Sequence, residues 1–214
     1  MLEAQSALTF RCTACGNCCR TLRVAVTAAD VARLVAATGR SASELVQWLT
    51  PDEVDMTGEP QSFVELRAGR RLMVLAHASQ GCALLSADGL CSAYAARPLD
   101  CRAFPFDFSD PAAGGPARAP TLLPLVALRS RESPRALDCD YASDGQQDAR
   151  ELAEQDAQRW RELTAFQRLI ARWNRWANHR RRLGHALGSS DEFLRFALER
   201  CATDDAERAP LTAR

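Results

Sequence analysis

The chain has 214 residues, of which 47% are hydrophobic and 25% charged, a composition that suits one globular domain with or without a helical extension. Its 27 basic and 27 acidic residues give a formal net charge of zero, so we expect no global attraction to nucleic acid or to an anionic membrane. No apolar run approaches 18 residues and the N-terminus lacks a secretory signal, so we expect neither a transmembrane helix nor secretion.

The first informative segment is a quartet of cysteines at the positions Cys12, Cys15, Cys18 and Cys19. The spacing Cys-x2-Cys followed by Gly16 is typical of a metal-binding turn, in which backbone N–H groups point at the sulfurs. Extending it by one more Cys-x2-Cys step gives the spacing of a ferredoxin segment, although the cysteine–proline pair that completes the ferredoxin motif is missing. The alternative interpretation is a set of free thiols in a small core.

After the quartet, alternating apolar residues predict a strand over residues 22–26. A helix is predicted between Thr27, which starts a capping signal, and Gly39, which ends the apolar helical periodicity. A second, shorter helix is predicted over residues 43–49 and is ended by Pro51.

In the middle of the chain, the sequence predicts pairs of antiparallel strands that are joined by tight turns. Strands are expected over residues 63–66 and 72–75, joined by a glycine-containing turn as a hairpin. A second turn at residues 87–89 would bring Cys82 and Cys91 near each other across adjacent strand ends.

The remaining elements are mainly helical. A short helix and a turn are predicted over residues 94–105, a surface loop over 107–120 and an edge strand over 122–128. From residue 146 the apolar residues recur at helical spacing until Gly184. A capping box at residues 189–192 predicts a final helix.

Five more cysteines follow the quartet. Cys82, Cys91 and Cys101 would supply enough thiolates for two four-sulfur sites if Cys139 joined them and the quartet. Cys139 is weighed evenly between a ligand and a bystander, while Cys201 lies on the apolar stripe of the last helix and is assigned to the core. Because a chain without a secretory signal is expected in a reducing compartment, the cytoplasm by default, metal ligation is favoured over disulfides, and the odd number of cysteines agrees.

These cysteines are part of a longer pattern, which reads Cys12-x2-Cys15-x2-Cys18-Cys19, then Gly81-Cys82, then Gly89-x-Cys91-Ser-x-Tyr94-x2-Arg97-Pro98-x2-Cys101-Arg102-x-Phe104-Pro105. The pattern resembles the YkgJ-type CxxCxxCC cysteine-cluster family over residues 10–106. Members of that family are described as zinc- or iron-chelating and in some cases as iron–sulfur oxidoreductases. The resemblance implies metal binding and leaves the metal and any reaction open.

Several side chains near the cysteines have two interpretations. Four arginines either offset the negative charge of a thiolate site or only close turns: Arg11, Arg20, Arg97 and Arg102. His77 could replace one thiolate, but a solvated loop histidine is favoured. The run of residues 180–182 could touch nucleic acid or an acidic partner, but a helix C-terminus favoured by the helix dipole is the preferred interpretation.

The sequence therefore predicts an α+β protein. Residues 1–140 would form a small, irregular, cysteine-rich metal-binding domain with short strands and helices, and residues 141–214 a C-terminal helical region. The predicted metal ligands are the quartet and the next four cysteines in the chain: Cys12, Cys15, Cys18, Cys19, Cys82, Cys91, Cys101 and Cys139.

Three functional hypotheses remain. The first is an iron–sulfur protein with a redox or accessory role, and the second is a structural zinc module that binds a protein partner. The third is an enzyme whose metal keeps an open position, for which no general base or substrate pocket can be named. No membrane or nucleic-acid partner is expected, and the cofactor is either an iron–sulfur cluster or Zn²⁺.

Overall fold

The computed structural model describes the backbone of residues 8–54, 60–104, 106–107, 121–122, 142–147 and 149–208, and the side chains of residues 11–54, 60–104 and 150–201. Helices and short antiparallel strands are mixed along the chain, and two long helices follow residue 148. The chain is thus α+β with a C-terminal helical region, which confirms the predicted class.

The chain divides into two compact units, each of which combines two separate segments. Unit 1 contains the described parts of residues 1–23 and 77–160, and unit 2 contains those of residues 24–76 and 161–214. The boundary predicted after residue 140 would separate two continuous segments of the chain. The two units do not test it, and it stays a prediction.

Unit 1 is built from short elements. Its strands form two-stranded antiparallel pairs: β1 (Leu8–Arg11) with β9 (Ala142–Gln147), β5 (His77–Ala78) with β6 (Gly81–Cys82), and β7 (Phe106–Asp107) with β8 (Thr121–Leu122). Its helical elements are α1 (Asn17–Thr21), a 3-10 turn (Tyr94–Ala96), α4 (Leu99–Ala103) and the beginning of α5 (Ala149–Arg182).

Unit 2 holds a three-stranded antiparallel sheet whose order is β2 (Val46–Leu49), β4 (Gly69–Leu75) and β3 (Val64–Leu66). Its helices are α2 (Ala28–Thr38), α3 (Ala42–Leu45), the remainder of α5, and α6 (Ser190–Arg208), and it has 3-10 turns at Pro51–Glu53 and Pro60–Ser62. Helices α2 and α3 pack against α6. The apolar side chains of the sheet and of α2, α5 and α6 form the core of this unit.

Helix α2 has the predicted ends. The Thr27 hydroxyl accepts a hydrogen bond from the Asp30 backbone N–H at 3.1 Å, and the Asp30 carboxylate accepts one from the Thr27 backbone N–H at 2.9 Å. At the other end Gly39 has a φ of 67°, in the left-handed region that glycine adopts easily. Both capping signals read from the sequence are confirmed.

The helix predicted over residues 43–49 is wrong in its second half. Helix α3 ends at Leu45, and the next four residues form β2, which pairs with β4 so that Val46 lies opposite Leu75 and Leu49 opposite Leu72. Val46 and Leu49 are buried in this arrangement. The pairing with β4 is a tertiary interaction, and it overrides the local helical periodicity.

The strand predicted over residues 22–26 is reduced to extended backbone with one isolated bridge. Ala25 pairs with Val74 along the edge of β4, and the Val26 backbone N–H donates to the Met73 carbonyl. The predicted hairpin is confirmed, because Leu66 lies opposite Gly69 at the end of the β3–β4 ladder.

The C-terminal helices follow the sequence closely. Helix α5 ends at Arg182, and Gly184 follows it with a φ of 71°. The predicted capping box of α6 is confirmed, because the Ser189 N–H donates to the Glu192 carboxylate and the Glu192 N–H donates to the Ser189 hydroxyl.

Other predictions are met in part or lie outside the described residues. Residues 94–104 form two short helical pieces instead of one, interrupted at Arg97 and Pro98. Of the edge strand predicted over 122–128, only Leu122 lies in the described chain, and the loop over 107–120 is almost wholly outside it. Within the described helices there is no stretch of sufficient length and apolarity to span a bilayer.

Candidate metal centre

The quartet lies on a turn that leads into α1. Ala14 has a φ of 56° and Gly16 a φ of 72°, so two residues of this turn adopt the left-handed conformation. The Ala14 backbone N–H donates to the Cys12 sulfur at 3.4 Å, the type of contact expected in a metal-binding turn. The turn therefore orients a backbone donor toward a thiol.

Two glycines let three separate segments approach backbone to backbone. A Cβ atom on Gly81, in β6, would lie 2.7 Å from the Cys19 carbonyl oxygen, and one on Gly16 would lie 2.7 Å from the Gly89 carbonyl oxygen. Real Cβ contacts are essentially never this short. Helix α1, strand β6 and the turn before Cys91 are thus packed against one another at a distance that only glycine permits.

The side chain of Arg20 joins these segments. Its Nη1 donates to the Cys15 carbonyl at 2.9 Å and to the Asn17 side-chain oxygen at 3.2 Å. Its Nη2 lies so near Gly89 that a Cβ there would be 3.3 Å away. Of the two interpretations of this arginine, the structure supports a role in fixing the backbone that carries the thiols.

Cys18 and Cys19 form a close pair at the start of α1. Their sulfur atoms are 4.0 Å apart and share a hydrogen bond. This bond raises the pKa of Cys18, with burial adding to the effect, and lowers the pKa of Cys19. These two shifts make Cys19 the thiol of the pair that ionises first.

Three later cysteines are electrostatically coupled to this pair. Cys82, Cys91 and Cys101 each oppose the ionisation of Cys19, although the Cys18 hydrogen bond outweighs them. Burial raises the pKa of Cys101, and the thiols of Cys82 and Cys18 raise it further. Five predicted ligands, from α1, β6, the segment after the Gly89 turn and α4, thus form a set in which each of the other four interacts with Cys19.

The other predicted cysteines stand apart from this coupled set. Cys12 and Cys15 are half-buried on the turn before α1, and among the described residues neither sulfur joins the interactions of the five. Cys139 lies outside the described residues. Cys201, which was assigned to the core, is half-buried on α6 in unit 2.

His77 was interpreted from the sequence as a solvated loop residue, and the structure gives it a different environment. It lies directly opposite Cys82 in the β5–β6 pair, so both side chains leave the same face of the hairpin. Its Nε2 atom is buried and has no hydrogen-bond partner among the described residues. Burial and the nearby Arg23 lower the pKa of His77. A buried nitrogen without a partner next to a cysteine is a feature that no spacing rule for cysteines detects.

The arginines after Cys91 support the backbone through hydrogen bonds to carbonyl oxygens. Arg97 stacks on the Tyr94 ring at 3.7 Å and donates to the Tyr94 carbonyl. Arg102 donates to the carbonyls of Arg97 and Ala95. These bonds fix the two short helical pieces that place Cys101, and the positive charge of Arg97 partly offsets the rise in the pKa of that thiol.

The donor set fits a soft metal. Because a zinc–thiolate bond is about 2.3 Å, two sulfurs on one tetrahedral zinc lie about 3.8 Å apart, close to the distance between Cys18 and Cys19. Across the described part of the chain, no three or more His, Cys, Asp or Glu side chains are already arranged to hold one ion. The Cys18–Cys19 pair is therefore the preformed part of the donor set, because its sulfur spacing is that of two ligands on one ion.

A comparison with protein families agrees with this donor set. The CxxCxxCC family model, described as "Putative zinc- or iron-chelating domain", matches residues 11–117, which is half of the chain. Every cysteine except Cys139 and Cys201 falls in the matched range. No curated protein and no solved structure was found to match.

Proposed function

The chain belongs to the CxxCxxCC family of zinc- or iron-chelating domains, and from that premise we propose that it holds its metal through cysteine thiolates gathered around α1. The observation that carries the proposal is the Cys18–Cys19 pair, whose sulfurs are 4.0 Å apart and coupled to three further thiols. A dense set of mutually repelling thiolates is unfavourable without a cation, and a divalent cation removes that repulsion.

We assign Cys18 and Cys19 as the first ligands, with Cys82, Cys91 and Cys101 as the next candidates. Cys12 and Cys15 lie on the turn that orients α1 and would complete a larger site, and Cys139 remains a candidate from the sequence pattern. His77 could contribute a nitrogen, because its buried Nε2 has no partner among the described residues.

The pair distance favours one ion bound by both Cys18 and Cys19, either zinc or iron. In a four-iron cluster each iron takes one cysteine, so two cysteines on the same cluster are expected farther apart. A thiolate-bound zinc would act as a structural staple, and unit 1 would then present a folded surface to a protein partner.

An iron–sulfur centre with a redox or accessory role is the second candidate. It is favoured by the number of thiols, because seven cysteines lie in the matched range and one zinc ion needs at most four. A reducing compartment such as the cytoplasm would suit either centre.

The test is to purify the full chain without oxygen, record its visible spectrum, and measure zinc, iron and acid-labile sulfide per chain. We expect stoichiometric zinc or iron. Colour together with sulfide would select the iron–sulfur candidate, and a colourless zinc protein would select the structural module. A chain that stays metal-free after anaerobic purification and reconstitution with either metal would refute the proposal.

Matched variants locate the ligands. Cys19→Ser should remove most of the bound metal, whereas Cys201→Ser, a substitution of the same chemistry in unit 2, should leave the metal content unchanged. Equal metal loss in both variants would mean that general destabilisation, and not ligand removal, explains the result.

A further inference from the structure

The C-terminal two thirds of α5 carries a continuous line of basic side chains on its exposed face. We call this line the arginine stripe, and its members are exposed residues at helical spacing: Arg161, Arg168, Arg172, Arg175, His179 and Arg182. At 100° per residue they fall within about 80° of the helix circumference, and they extend over about 31 Å of the helix axis. The whole stripe lies in unit 2.

No acidic side chain neutralises the stripe within the described chain. The sole acidic residue on this part of α5 is Glu162, which lies off the stripe and pairs with Arg33 at 2.8 Å. Among the described residues, the five arginines of the stripe make no ion pair and no side-chain hydrogen bond. The stripe therefore creates a local positive potential that no acidic side chain among the described residues offsets, although the net charge of the chain is zero.

Helix stability alone does not account for this pattern. Like charges three and four residues apart, such as Arg168, Arg172 and Arg175, destabilise a helix. The helix dipole favours cations only in the last turn, so it accounts for Arg182 and not for the residues two or more turns earlier. A surface helix that served only to cover a core would be expected to mix acidic and basic residues along its exposed face.

We propose that the arginine stripe binds the phosphate backbone of a single nucleic-acid strand. The basic residues recur along a nearly straight line, which suits a polymer with one negative charge per nucleotide. Trp176 lies at the edge of the stripe, is 41% exposed, and carries the Arg180 guanidinium over its ring at 5.2 Å. An exposed aromatic ring beside a basic track offers a base a surface on which to stack.

This inference concerns unit 2 and does not depend on the metal. It also differs from the expectation drawn from net charge, because a chain with no global field can still carry a strong local one. The sequence interpretation considered the run of residues 180–182 alone, whereas the relevant signal is the helical spacing that links Arg161 to Arg182.

The test is fluorescence anisotropy of the purified full chain with a labelled 20-nucleotide single-stranded DNA at 50 to 200 mM salt. Five arginine contacts predict a slope of log affinity against log salt of about −3.5, since each contact to a single strand contributes about 0.7. Arg168→Gln with Arg175→Gln should make the slope shallower by about 1.4 and weaken binding roughly tenfold at 100 mM salt. Circular dichroism would check that the helix content is kept.

The matched control is Arg150→Gln with Arg195→Gln, which removes the same charge from two exposed arginines outside the stripe. The affinity of this control variant for the DNA should stay within about twofold of that of the unmodified chain, if affinity depends on where the arginines lie and not on net charge. Equal weakening by the two double variants would overturn the proposal, as would no binding by the unmodified chain. If polyglutamate bound as tightly as the DNA and lost affinity in the same double variant, the nucleic-acid proposal would be overturned in favour of an acidic protein partner.

Discussion

Cys18 and Cys19 show how one hydrogen bond separates the chemistry of two adjacent thiols. The bond raises the pKa of Cys18 and lowers that of Cys19, so the pair loses one proton more easily than it loses both. A cation placed between the sulfurs would substitute for that proton. This is why the pair is the preformed part of the proposed centre, and why Cys19 is the first thiol to replace in a test.

Gly81 should be the glycine of unit 1 least tolerant of a side chain. Its φ is 127°, and a Cβ would lie 2.7 Å from the Cys19 carbonyl oxygen and 2.9 Å from the Arg20 Cα. Because both obstacles are backbone atoms, we expect Gly81→Ala to lower the free energy of unfolding by roughly 2 to 3 kcal/mol and to reduce metal content. Urea denaturation and metal analysis would measure the two effects.

Gly39→Ala is the control for that experiment, since Gly39 also has a positive φ but nothing within 4 Å of the added atom. It should lower stability by about 1 kcal/mol and leave the metal content unchanged. Similar losses of stability and metal in the two variants would show that the close approach of β6 to α1 has no special role.

Arg20 should strengthen metal binding without being a ligand. Its bonds to the Cys15 carbonyl and the Asn17 side chain fix the turn that carries the quartet, so Arg20→Met should weaken metal retention roughly tenfold in competition with a chelator. Arg40→Met, in unit 2, provides the comparison. Unchanged retention in Arg20→Met would mean that α1 holds its position through backbone packing alone.

At the scale of elements, the sequence predicts those that are defined by local signals. The capping boxes at Thr27 and Ser189, the glycine that ends α2 and the β3–β4 turn are short-range features, and all of them are confirmed. Strand β2 was missed because its partner β4 lies more than twenty residues later in the chain. Local periodicity cannot report such a partner.

The candidate metal site was also predictable only where short-range sequence signals define it. Cysteine spacing selected the candidate ligands, of which Cys18, Cys82, Cys91 and Cys101 interact with Cys19. The roles of Gly81 and His77 depend on which segment packs beside which, so neither could be derived from spacing. The ligand set as a whole stays a prediction until metal content is measured on the variants.

The junction between α5 and α6 offers an element-scale test. A Cβ on Gly188 would lie 2.6 Å from two atoms of the Trp173 ring, which is buried and packs at 5.3 Å from the Phe193 ring. Gly188→Ala should therefore lower the free energy of unfolding by roughly 1 to 3 kcal/mol through overpacking, measured by urea denaturation. Gly184→Ala, where nothing lies within 4 Å, should lower it by only about 1 kcal/mol. An equal effect of the two substitutions would contradict the packing argument.

At the scale of the whole molecule, the described candidate metal ligands all lie in unit 1. Unit 2 buries apolar side chains from a sheet and several helices, including Phe193, Leu34 and Met73. The buried apolar side chains that the structure describes in unit 1 are few: Cys82, Leu84, Ala93, Pro98, Leu99 and Leu152. A metal bound by thiolates from four segments of unit 1 would add its binding free energy to the stability of that unit.

Metal removal should therefore act on one unit. We expect chelation to increase amide hydrogen exchange in the described parts of residues 8–23 and 77–104, because the binding free energy that holds these segments together is lost. Residues 24–54, 60–76 and 161–201 should keep their protection, since their core contains none of the cysteines that the family model covers. Peptide-level exchange measured by mass spectrometry before and after chelation makes the comparison within one sample. Uniform loss of protection in both units would show that the metal stabilises the whole chain, and no loss in either would show that unit 1 folds without it.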